Sequence, residues 1–303
     1  MDFEKQGAGM KDCAFIGYGE AARAFRETLA EHAPEMSFRA YDIKLDGAGG
    51  EEMRAAMRRD GVTIAPSPAA LAGSGWVFSA VTADQSLAAA RSVASHIGAG
   101  TVFIDINSVS PGRKRETAAL IEKGGAAYLD MAVMAPVHPR GHRTPVLVAG
   151  AALALALPRL KALGFDYRVA GEAAGAATAI KMIRSQFVKG LEAITVETLL
   201  AAEAAGVFGE ILASLSSSYP GLGWPDFAEY QFERTLRHGA RRAAEMEESA
   251  ATVAALGLNG GLGAEVAAVQ AAMGQAGAAC RPRATLHETV AAALATRRDG
   301  QSG

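Results

Sequence analysis

Cysteine is almost missing from this sequence: Cys13 and Cys280, far apart in a chain of 303 residues, are the only two. Their scarcity excludes a disulfide framework and CxxC metal spacing, and it points to a reducing compartment. An excess of one charge is missing as well. The formal net charge is -2 and half of the residues are hydrophobic, so nothing offers a global footprint for nucleic acid, and a small molecule is the expected partner. Long hydrophobic runs are also absent. The most apolar stretch, 145–157, is too short for a bilayer and is interrupted by Gly150; it should form a strand and then a short helix. The polar, mixed-charge first residues lack the basic flank and apolar core of an export signal, so a cytoplasmic location is expected. No HExxH spacing, carboxylate-flanked histidine group or GxSxG elbow occurs, which leaves a metal site and a Ser-His-Asp triad without support.

What is present has an order. Short apolar runs at 13–17, 38–41, 62–65, 77–81, 102–106 and 146–148 alternate with amphipathic stretches, the mark of βαβ units in a mostly parallel sheet. Beyond Gly171 the strand signals fade, and alanine, leucine, glutamate and arginine dominate two long periodic stretches, 172–205 and 225–256. The length accommodates two domains: an α/β domain over 10–170 and an all-helical one over 171–298. Turns are expected at 216–223, 257–263 and 274–282, where glycine, serine and proline gather. The tails before Met10 and after Arg297 are expected to fray.

The stretch F-I-G-Y-G-E-A-A-R-A-F at 15–25 supplies glycine for a tight turn at Gly17, glycine for close backbone approach at Gly19, and a small residue where helix meets strand at Ala22. A strand precedes it and an amphipathic helix follows, whose start can hold phosphate. A second strand then ends in Asp42, an acid able to accept hydrogen bonds from a ribose. These features predict a Rossmann-type dinucleotide-binding domain, with Gly17, Tyr18, Gly19, Glu20, Ala21, Ala22 and Asp42 around the cofactor and Val81 and Thr82 bordering its nicotinamide side. The cofactor is NAD or NADP. Asp42 would repel a 2'-phosphate and favours NAD, whereas Arg39 and Lys44 nearby weigh the other way.

Three further segments, D-I-N-S-V-S-P at 105–111, Y-L-D-M-A-V-M-A-P-V at 128–137 and G-A-A-T-A-I-K-M-I-R-S at 175–185, complete a pattern that resembles the β-hydroxyacid dehydrogenase family. That family includes 6-phosphogluconate and 3-hydroxyisobutyrate dehydrogenases. The resemblance implies a Rossmann domain followed by an all-α, 6-phosphogluconate dehydrogenase-like helical domain, and a homodimer formed through the helical half. It implies that Lys181 is the general acid/base, a role suited to a partly desolvated lysine, with Lys189 in reserve. Asn107 or Ser108 would bind substrate; the motif serves either. Ser185 stands where the family carries asparagine, and Arg184 where phosphogluconate dehydrogenases place histidine. Both are substrate-binding candidates, Arg184 through a carboxylate or phosphate, with a surface ion pair as its alternative. Ser108 and especially Ser110 also suit an N-cap ahead of Pro111.

Two departures mark a divergent branch. Met134-Ala135-Pro136 replaces a carboxylate-binding serine and glycine pair, and proline removes an amide donor, so a more apolar pocket is expected. His138, Arg140, His142 and Arg143 follow, as an anion-binding rim or a solvated loop. In R-R-A-A-E-M-E-E at 241–248, Glu245 and Ala244 take the places of a Lys-Asp pair, and Arg241 or Arg242 either compensates or is plain surface charge. The expected activity is oxidation of a small 3-hydroxy acid or sugar acid. The alternatives are an imine or carbonyl reductase on the same scaffold and a non-catalytic dinucleotide sensor.

Overall fold

A computed structural model describes residues 12–299. The chain before residue 12 and after residue 299, with most of both tails expected to fray, lies outside them. Arg298 and Asp299, also assigned to a tail, instead close the last helix.

Eight strands form one sheet: β1 (Asp12–Ile16), β2 (Ser37–Tyr41), β3 (Thr63–Ile64), β4 (Trp76–Ser79), β5 (Val102–Asp105), β6 (Ala127–Val133), β7 (Val146–Ala149) and β8 (Tyr167–Gly171). Their spatial order is β3-β2-β1-β4-β5-β6-β7-β8, and its first six strands follow the doubly wound 3-2-1-4-5-6 order. Every pair is parallel except β6 with β7. β4 and β5 are buried along their whole length, as strands covered on both faces should be. Between strands run α1 (Glu20–His32), α2 (Gly50–Arg59), α3 (Ser86–Ala94), α4 (Pro111–Lys123) and α5 (Leu153–Ala162). α1 buries Ala22, Phe25 and Leu29, one stripe at helical spacing. α4 starts with Ser110 in the N-cap position, without a side-chain cap hydrogen bond, and Pro111 in the first helical one. β6 and β8, which periodicity alone passes over, complete the sheet.

The helical region comprises α6 (Ala176–Ala204), α7 (Phe208–Ser218), α8 (Asp226–Ala255), α9 (Gly261–Ala279) and α10 (Leu286–Asp299). Two compact units divide within α6, one ending at Lys181 and the other beginning at Met182. In the second, Val196 and Leu199 of α6, Phe232 and Leu236 of α8, Met273 of α9 and Val290 of α10 build the core. The turn expected at 274–282 begins later than glycine suggests, because α9 continues through Gly274 and Gly277. A Cβ at Gly277 would overlap the Leu236 carbonyl, and one at Gly274 would overlap Ala240 N. These glycines let α8 and α9 touch backbone to backbone instead of ending a helix. No helix among the described residues is long and apolar enough to cross a membrane.

Candidate functional site

The glycine turn sits where β1 hands over to α1. Gly17 has φ +84°, and a Cβ there would come 2.5 Å from both the Ala80 oxygen and Val81 Cγ1. Only glycine fits. Gly19 is the N-cap of α1 with no side-chain cap, and a Cβ there would meet nothing within 4 Å. The first amides of α1 therefore stay open to an anion, while Ala22 is fully buried. Glu20 is exposed and Ala21 half-buried. These residues fit the pyrophosphate of a dinucleotide.

Asp42 lies at the end of β2, buried, with Oδ2 accepting from Tyr18 N at 2.8 Å and Oδ1 from Lys44 N at 2.9 Å. Its carboxylate holds the turn and retains lone pairs for a further donor. The Tyr18 side chain is buried, and its hydroxyl donates to Asp60 Oδ2 at 3.1 Å. Burial, and then the neighbouring Asp60, pushes the phenol well above its ordinary pKa. Arg23 Nε donates to the same Asp60 oxygen at 2.9 Å. A cavity of about 870 Å³ opens beside the turn, lined by Tyr18, Gly19, Arg23, Lys44, Arg59 and Asp60 among others. Asp60 lies too far from the turn in sequence for the fingerprint to reveal it, and Arg23, inside the 15–25 stretch, has no place in the glycine pattern.

Asn107, Ser108 and Lys181 come together at the carboxyl end of the sheet. Lys181 Nζ donates to Ser108 Oγ at 2.7 Å. The Asn107 side chain turns the other way: Oδ1 accepts from Val81 N at 2.7 Å and Nδ2 donates to Ser79 Oγ at 2.9 Å. It ties the end of β4 to the loop that carries Ser108. Val81 is half-buried, and the exposed Thr82 starts a short 3-10 turn. α6 approaches this loop through Gly175, at φ +93°, where a Cβ would lie 2.9 Å from the Pro111 oxygen.

Arg184 and Ser185 belong to the second unit, the first exposed and the second buried. There Lys189 Nζ lies 2.7 Å from Glu245 Oε2, whose other oxygen meets Arg241 at 2.7 Å. Arg242 is not surface charge: it is buried against Glu192, which also accepts from Gln270. In the first unit, Met134 packs with Ala132, Leu147 and Ala177, and Ala135 and Pro136 are exposed. The basic loop splits. His138, Arg140 and Arg143 are exposed, but His142 is buried, with Nδ1 2.7 Å from Thr28 Oγ1 and Nε2 2.9 Å from the Leu163 oxygen. Desolvation lowers its pKa to about 4, so this imidazole is a neutral pin and not part of a rim.

Sequence reasoning also passed over Lys114, Asp105, Asp130 and Thr178, which lie beneath the Lys181–Ser108 contact in the same unit. A signal was available, since an aspartate inside the apolar run of 127–133 requires a buried partner.

Across 95% of this chain and 97% of the other, a conserved hypothetical protein from Sinorhizobium meliloti is 35% identical, with a TM-score of 0.74. A conserved protein of unknown function, described as structurally similar to 3-hydroxyacid dehydrogenases, is 27% identical over 86% of this chain and 96% of its own, with a TM-score of 0.67. The chain belongs to the β-hydroxyacid dehydrogenase family, in a divergent branch. Within this family, residues 202–273 match a domain of unknown function, DUF1932. An uncharacterized 28.5 kDa protein from Methanothermus fervidus is 27% identical over 172 residues, which span 57% of this chain and 65% of that relative. The fold is shared with a Mycobacterium tuberculosis 3-hydroxyisobutyrate dehydrogenase solved with L-serine, at 21% identity over 93% and 98% of the chains and a TM-score of 0.68. It is also shared with an Aspergillus terreus imine reductase solved with NADPH4, at 15% identity over 82% and 88% and a TM-score of 0.56.

Proposed function

We propose that this chain is an NAD(P)-dependent oxidoreductase, a dehydrogenase of a small 3-hydroxy acid or sugar acid in which Lys181 moves the proton. The observation that carries the reading is the 2.7 Å contact of Lys181 with Ser108, in the same unit as an uncapped glycine turn. A bound nicotinamide dinucleotide supplies a hydride acceptor, or a donor in reverse. Gly17, Gly19 and Ala22 hold its pyrophosphate at the start of α1, and Asp42 holds its adenosine ribose. As hydride leaves the substrate carbon, the hydroxyl on that carbon must lose its proton. The Lys181 amine accepts it, and as an ammonium returns it in reverse. Ser108 orients the hydroxyl, and Asn107 holds the loop. Lys189 is the weaker candidate for base, because its Nζ is engaged by the Glu245 carboxylate at 2.7 Å.

The cofactor choice divides between Asp42, which favours NAD, and Lys44 with the arginine-lined cavity, which favour NADP. Met134-Ala135-Pro136 supports a second reading, reduction of an imine or carbonyl without a carboxylate grip. Two buried thiols, Cys13 and Cys280, suit a reducing cytoplasm. Ile183, Phe187 and Ile194, exposed by 50%, 69% and 64% on one face of α6, support a homodimer through the helical domain, here taken as residues 171–298 after a Rossmann domain of 10–170.

Calorimetric titration with NAD(H) and NADP(H), against Asp42→Ala, tests the cofactor site. One coenzyme should bind, with its affinity altered by the substitution. Binding of neither would overturn the reading.

A further inference from the structure

Two buried carboxylates face each other inside the sheet-bearing unit. Asp105 ends β5, Asp130 lies in β6, and the parallel register makes them direct neighbours. Both are fully buried, and like charges placed so need a cation between them. Lys114, also fully buried, reaches in from α4. Its Nζ lies 2.9 Å from Asp105 Oδ1 and 3.4 Å from Asp130 Oδ1, and it donates to the Asp105 backbone oxygen at 2.7 Å. The contact with Asp130 is ionic only, since Asp130 Oδ1 is buried and has no hydrogen-bond partner.

One negative charge is left in excess, and it is directed at groups outside the trio. Asp105 Oδ2 accepts from the Tyr128 hydroxyl at 2.9 Å, and Asp105 Oδ1 accepts from Asn107 N at 3.0 Å. The second bond fixes the backbone one residue before Ser108. Asp130 Oδ2 accepts from Thr178 N at 3.0 Å. Thr178 is the third residue of α6, so its amide is one of the donors a helix start leaves unpaired, at the end where the helix dipole favours an anion. Lys181 follows three residues later, close to one turn of helix.

Burying three charges is a poor route to stability alone, because desolvation offsets much of the Coulombic gain. What this cluster supplies is direction. One arm holds the loop that presents Ser108, and the other holds the first turn of the helix that presents Lys181. We propose that Asp105, Lys114 and Asp130 form a positioning device that sets the Lys181–Ser108 contact. Asp130 acts on Lys181 through the Thr178 amide, and Asp105 acts on Ser108 through the Asn107 amide. The proposal deepens the functional reading above and rests on it for the roles of Lys181 and Ser108, yet the contact itself can be tested without a substrate.

The test follows acylation of individual lysines by an amine-reactive reagent as a function of pH, read by mass spectrometry on the full chain. Wild type is compared with Ser108→Ala, Asp130→Ala and Asp130→Asn, and coenzyme binding is measured for each. Asp130→Ala should move the Lys181 midpoint in the same direction as Ser108→Ala, by about half a pH unit, or about threefold in reactive fraction below the midpoint. Asp130→Asn keeps an oxygen for the Thr178 amide and should return Lys181 to the wild-type profile. Lys189 should not respond to any of the three. A Lys181 profile unmoved by Asp130→Ala overturns the proposal, and so does a shift equally large in Asp130→Asn, which would assign the effect to charge. Should the alanine variant not fold, a Lys181 midpoint moved in Asp130→Asn by as much as in Ser108→Ala overturns the proposal. Loss of coenzyme binding by wild type would instead remove the oxidoreductase reading and leave the labelling result standing.

Discussion

The two units bury charge for different ends. In the sheet-bearing unit, two carboxylates share one ammonium, and the surplus charge is directed at backbone amides beneath the Lys181–Ser108 contact. In the helical unit the ions link helix to helix: Lys189 to Glu245 and Arg242 to Glu192 join α6 to α8, and Gln270 adds α9. Similar groups aim a side chain in one unit and fasten helices in the other. The difference is plainest in two lysines on one helix. Lys181 meets the Ser108 hydroxyl, whereas Lys189 meets the Glu245 carboxylate.

Exchanging those lysines separately should break the comparison most visibly. Lys181→Met is expected to lower turnover by about 10²–10⁴-fold with little change in melting temperature or coenzyme affinity. Lys189→Met should lower the melting temperature and leave the pH profile of turnover in place. Next in size, Glu192→Ala strands the buried Arg242 and should destabilise the protein by about 3–5 kcal/mol, measured by denaturant unfolding. Gly277→Ala forces a methyl group into the Leu236 carbonyl across the α8–α9 contact and should cost about 1–3 kcal/mol. An equivalent change at Gly209, where a Cβ would meet nothing within 4 Å, should not destabilise.

The last effect appears only as pH falls. His142 has a folded pKa of about 4, below its ordinary 6.5, because burial disfavours the charged ring. The unfolded chain therefore binds more protons between these values. The stability His142 contributes is complete above about pH 6.5 and is lost as pH falls through 4, on the order of 3 kcal/mol in all. His142→Phe should flatten that part of the stability curve, read from urea midpoints at stepped pH. A slope unchanged in the variant would contradict the assignment of His142 as a neutral pin.

Much of this was legible in the sequence because local chemistry reported it. Gly17 and Gly19 announce a turn that only glycine can make, and Ser110-Pro111 announces a helix start. Lys181 stood out through a motif, and its partner Ser108 was in view with Asn107 as the rival. What stayed hidden depends on register and packing. The side-by-side placement of Asp105 and Asp130 follows from strand pairing, and no spacing rule shows that Lys114 reaches between them. Gly274 and Gly277 read as a break because a sequence does not show the facing helix that needs them small. The burial of Arg242 and His142 stayed out of view for the same reason, their partners Glu192 and Thr28 lying far off in the chain.

The central claim is that Lys181 exchanges the proton in a nicotinamide-dependent reaction. Its most direct test is consumption of the reduced coenzyme that binds, followed by absorbance, with a panel of 3-oxo acids and cyclic imines, for wild type and Lys181→Met side by side. The account predicts turnover of at least one of the two classes by wild type, and a rate at least about 10²-fold lower in the variant at unchanged coenzyme affinity. Equal rates in the two proteins would contradict it.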